Sequence, residues 1–107
     1  MAVIPVELKT DPKYLYPETI NVKGGDTILF RSSSTNHFFV HIPDASNYFE
    51  DLAPGSNIMY YVPPRGLAET PQVKGSLDET VEYGVYKADT SGGVIPSDAP
   101  PRIIIGY

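Results

Sequence analysis

The segment from Thr19 to Phe30 leaves this chain little choice of secondary structure. Ile20 and Val22 recur at a period of two, Gly24-Gly25-Asp26 interrupts them, and Ile28 and Phe30 resume the alternation. A period of two lines up every second side chain on one face of a strand, whereas a helix needs 3.6. A Gly-Gly-Asp triplet between two such runs is turn chemistry, so the segment predicts strand, turn, strand. The rest of the chain agrees. Val, Ile, Tyr, Phe and Thr are plentiful, Leu and Ala are few, and 11 prolines with 9 glycines break any long helical period. The chain is all-β by this reading.

Further strands follow from the same pattern. Residues 3–8 form a first strand, in which Pro5 requires an edge or a bulge because it has no N–H to give to a ladder. A loop with Pro12 and Pro17 comes next. The polar run Ser32-Ser33-Ser34-Thr35-Asn36 feeds an apolar strand at 38–42, which Pro43-Asp44 ends. A short helical turn is expected near 47–51, then a strand at 58–62 that Pro63-Pro64-Arg65-Gly66 stops. Residues 67–78 are weakly patterned and read as a long surface connection. Residues 79–86 alternate with Val81, Tyr83 and Val85 on one face, and 102–107 make a last strand. The expectation is a single domain over 1–107, a Greek-key β-sandwich of about seven strands.

Charge and cysteine usage exclude several function classes. The formal net charge is −5 with no cluster of Lys or Arg, so no phosphate backbone would find the counterion-releasing surface it needs. A basic or neutral partner suits this surface better. With no cysteine, disulfides, thiolate catalysis and cysteine-ligated metals are absent. No apolar run reaches membrane-spanning length, and Met1-Ala2-Val3-Ile4 lacks a basic segment ahead of an apolar one, which leaves the compartment open.

The order of features resembles the cupredoxins, small copper-carrying β-sandwiches. The resemblance rests on the strand entry Gly25-Asp26-Thr27-Ile28-Leu29-Phe30, on His37 just before an apolar strand, and on Tyr83-Gly84-Val85-Tyr86-Lys87 near the end. In that family the first histidine is a copper ligand, and a late Tyr-x-Val/Phe-Tyr-Cys strand supplies the thiolate. A following loop then supplies a histidine and often a methionine. Here Lys87 stands at the cysteine position, and residues 88–101 hold no His, Cys or Met. An ammonium offers donors and no lone pair, so a trigonal blue-copper site cannot be assembled from these residues. The resemblance implies a periplasmic or extracellular setting.

Two histidines, His37 and His41, are the candidate metal ligands, with His41 the weaker. In a regular strand they would stand about 13 Å apart, too far to share an ion. Copper or zinc binding through His37 would need carboxylates such as Asp44 or Glu50, or another subunit, to complete it. No catalytic constellation emerges, since Ser32, Ser33 and Ser34 are loop serines and Asp44, Glu50 and Asp51 read as solvated carboxylates. The leading expectation is therefore a non-catalytic binding or interaction module. It would carry no resident cofactor and would meet a protein or small ligand through the loops around Asn36 and Lys87. Tyr60 and Tyr61 point to opposite faces of their strand, so at most one joins the core there.

Overall fold

The computed structural model describes residues 1–9, 15–88, 94–96 and 100–106. The loops expected around Pro12 and over most of 88–101, with Tyr14, Gly92-Gly93 and Tyr107, lie outside the described residues.

All seven expected strands are present: β1 (Val3–Leu8), β3 (Thr19–Lys23), β4 (Thr27–Ser32), β5 (Phe38–Ile42), β6 (Ile58–Val62), the pair β8 (Glu79–Glu82) and β9 (Gly84–Ala88) in place of one long strand, and β11 (Arg102–Gly106). Three short strands, β2 (Leu15–Tyr16), β7 (Leu67–Glu69) and β10 (Val94–Pro96), bring the total among the described residues to eleven. They form three sheets in the orders β2-β1-β4-β7, β10-β9-β5-β6 and β3-β11-β8. Two pairings are parallel, β1 with β4 and β11 with β3. The others are antiparallel.

The predicted alternation sets the core of this sandwich. Val6 and Leu8, Ile28 and Phe30, Val40 and Ile42, Val81 and Val85, and Ile103 and Ile105 all turn inward and join one buried cluster. Each pair is two or four residues apart, as one face of a strand demands. Pro5 fits because β2 pairs only with Glu7 and Leu8. Its one described ladder is therefore with β4, where Pro5 lies opposite Leu29.

Residues 67–78 depart from the expected loose connection. Leu67, Ala68 and Glu69 pair with Arg31, Phe30 and Leu29, and Val73 is buried and bridges Phe49. Buried Thr70 continues this edge, its Oγ1 accepting from the Ile28 N–H at 3.0 Å. The strand is three residues long and its partners lie far away in sequence, so no local period announces it. The expected helical turn at 47–51 forms two residues earlier, as a 3-10 turn at Ala45–Asn47. There Asp44, at φ 52°, turns the chain and the buried Ala45 anchors it.

Two further features bear on stability. Asp26 is buried and its carboxylate accepts two backbone N–H groups, from Ala2 and from Lys23, each at 2.9 Å. It clamps the start of the chain to the β3–β4 turn. Tyr83, between β8 and β9, is 3% exposed and packs edge-to-face on Phe30 with ring centroids 5.8 Å apart. Its hydroxyl has no hydrogen-bond partner among the described residues.

Candidate functional site

The register of β5 with its two neighbours places the candidate residues. Phe39 lies opposite Tyr61 and His41 opposite Met59 on the β6 side. Across β9, Phe39 faces Tyr86 and His41 faces Gly84. Since Phe38, Val40 and Ile42 turn inward, Phe39 and His41 stand on the outer face, and directly opposite residues share that face. Met59 and Tyr61 are 63% and 50% exposed there. The Phe39 and Tyr61 rings are 5.5 Å apart. A Cβ added to Gly84 would stand 2.7 Å from the Tyr86 hydroxyl, so that phenol lies across the glycine. Phe39, His41, Met59 and Tyr86 line a groove of about 330 Å³.

His37 sits at the end of this face, just ahead of β5. Its ring stacks on Tyr61 with centroids 5.8 Å apart and planes 10° from parallel, and its Nδ1 is hydrogen-bonded to the Tyr61 hydroxyl at 2.6 Å. The loop before it is held from several sides. The Ser34 N–H donates to Ser32 Oγ, the Asn36 N–H and side-chain amide both donate to Ser34 Oγ, and the Arg65 N–H donates to the Ser34 carbonyl. The Ala88 N–H donates to the His37 carbonyl at 2.9 Å. Asn36, His37 and the end of β9 thus form one organised end of the sandwich. Ser32 and Ser34 serve loop geometry.

Lys87 pairs with Phe38, whose side chain is buried, so the half-buried lysine belongs to the inward side at this same end. A blue-copper centre does not fit these residues. The chain has no thiolate, a lysine stands opposite Phe38 at the end of β9, and the His37 Nδ1 is already bonded to Tyr61. Asp44 follows β5 and His37 precedes it, with five strand residues, about 16 Å at the usual rise, in between. Glu50 donates its N–H to the Gln72 carbonyl at 2.8 Å. Among the described residues no group of three or more His, Cys, Asp or Glu could hold a metal ion.

The Tyr61 contact to His37 escaped the sequence reading, although the division of Tyr60 from Tyr61 did not. Tyr60 is half-buried against the core and donates its hydroxyl to the Glu69 carbonyl at 3.1 Å, while Tyr61 is exposed on the outer face. Burial, and then the Glu69 carboxylate, push the Tyr60 phenol above its ordinary range. No described helix is long and apolar enough to cross a membrane.

No family model matches the chain, and no curated protein matches it in sequence. Solved structures do match in shape. A reduced Cu(I) amicyanin variant at pH 4 superposes with a TM-score of 0.62 at 13% identity, covering 97% of this chain and 82% of that one. A second reduced amicyanin variant gives 0.60 at 13% identity, again with 97% and 82% coverage. An oxidised variant gives 0.60 at 12%, with 96% and 81% coverage. Amicyanin is a cupredoxin. A superposition of that extent shows that this chain, which carries no cysteine, has the cupredoxin fold.

Proposed function

We propose that this chain is a non-catalytic interaction module on the cupredoxin scaffold, recognising another protein through the end of the sandwich that carries Asn36, His37 and Lys87 together with the adjoining Phe39 and Tyr61. The observation that carries this reading is the His37–Tyr61 pair. An exposed tyrosine is fixed by a 2.6 Å hydrogen bond and a stacked ring, and Phe39 stands beside it. An aromatic held in place before contact loses little rotamer freedom on binding, which is why such residues anchor interfaces. The surrounding loop is tied by its own serines, so the surface is formed in advance. With a net charge of −5, the partner's contact surface is neutral or basic.

The test is a photo-crosslinking amino acid at position 59, on the same face as Tyr61, expressed in the source cells and compared with the same group at Thr80 in β8. One discrete protein adduct from position 59, none from position 80, and loss of the adduct on Phe39→Ser are expected. Equal adducts from both positions, an adduct that survives Phe39→Ser, or no adduct from position 59 would each refute the reading.

A further inference from the structure

His41 and Met59 lie directly opposite each other on the outer face of the β5–β6 pair. Residues so placed hold their Cβ atoms about 4.5–5.5 Å apart, within reach of a single bound ion for an imidazole and a thioether. The His37 Nδ1 is taken by Tyr61, but the His41 imidazole makes no hydrogen bond or ion pair among the described residues. Met59 is 63% exposed, and its unbranched chain can swing the sulfur toward the ring. The other walls of their groove are the rings of Phe39 and Tyr86, with no carboxylate among the lining residues.

The chemistry of this donor set is selective. Calcium and magnesium need several oxygen ligands, and zinc needs a closed set of about four nitrogen, sulfur or oxygen ligands. A thioether paired with an imidazole suits a soft ion, and aromatic faces attract a cation placed over them. The geometry points to His41 and Met59 as a two-ligand site for a soft monovalent ion, Cu(I) or its analogue Ag(I), flanked by Phe39 and Tyr86. This site lies on the outer face of the sheet. It is separate from the inward position of Lys87 and does not depend on the protein-recognition reading.

Ag(I) titrated into the intact protein and followed by NMR tests the assignment, with Cu(I) measured anaerobically against a chromophoric competitor. The Met59 methyl and His41 ring signals are expected to move together and saturate at one equivalent. Met59→Leu and His41→Phe should each weaken binding by about tenfold or more. Met1→Leu should leave binding unchanged, the Met1 sulfur being already engaged by Gln72 at 3.2 Å. Both ligands are surface residues, and melting curves establish that the variants fold. Binding that persists in both ligand variants, that is lost in Met1→Leu, or that moves His37 instead of His41 would overturn the assignment, as would no saturable shift.

Discussion

Replacing Tyr83 by phenylalanine should make the protein more stable. The tyrosine is 3% exposed and its buried hydroxyl makes no hydrogen bond among the described residues. A buried polar group in that condition costs roughly 1–3 kcal/mol of desolvation that nothing returns. Tyr83→Phe removes the hydroxyl and keeps the ring, including its edge-to-face contact with Phe30 at 5.8 Å. The small void left behind forfeits some dispersion contact, so a net gain of about 1 kcal/mol is expected. Equilibrium unfolding in urea would show it as a higher midpoint with an unchanged slope. In a thermal melt the same gain corresponds to a rise of about 4–8 °C. The alkaline limb gives a second reading. Burial holds the Tyr83 phenol above the ordinary value of 10.0, so the folded state keeps a proton that the unfolded chain releases. That contribution is fully present below pH 10.0 and is lost as pH rises above it, so wild-type stability should fall on that side more steeply than the variant's. Tyr60, also raised, leaves the variant a residual slope. A variant less stable than wild type by 1 kcal/mol or more in urea, on the scale of a lost hydrogen bond to a buried group, would refute the reasoning. It would mean that the hydroxyl is satisfied in solution.

Two other substitutions probe the frame. Asp26→Ala leaves the N–H groups of Ala2 and Lys23 without their acceptor and should cost roughly 1–3 kcal/mol, with Asp26→Asn falling between it and wild type in the same urea titration. In Gly24→Ala the new Cβ would stand 2.6 Å from the Gly75 Cα, a backbone clash that only a shift of the turn relieves, at about 1–3 kcal/mol. Gly75→Ala meets nothing within 4 Å and should stay within about 0.5 kcal/mol of wild type. A Gly24→Ala protein that melts with wild type would show that the turn is looser than described.

The parts of this fold that were legible in the sequence are those governed by a local period. Ile20 and Val22, Ile28 and Phe30, and Val81, Tyr83 and Val85 each announce a buried face by spacing alone, and all seven residues are buried. Leu67–Glu69 has no such signal. It is a strand because β4 offers it an edge, and a three-residue run shows too little of a period to be seen. The site divides the same way. The sequence places Tyr61 on the face opposite Tyr60, yet it cannot bring Tyr61 to His37. That contact depends on the β5–β6 register, and the connection between these strands runs from Pro43 to Asn57. A two-residue hairpin turn would have set the register; a connection of this length does not. For the same reason Met59 could not be placed beside His41 before the pairing was known.

The position of β11 has a consequence for how this protein is made. Residues 102–106 lie in the middle of their sheet, with β3 on one side and β8 on the other. β3 is synthesised some eighty residues earlier, so during translation it waits with an open edge until β11 has left the ribosome. At about 5–20 residues per second that interval is roughly 4–16 s. An unpaired, half-apolar strand edge exposed for that long is a template for pairing with another nascent chain. Anything that delays or removes the last strand should therefore show first as a loss of yield into aggregates, before it shows as a loss of stability in the molecules that complete the sheet.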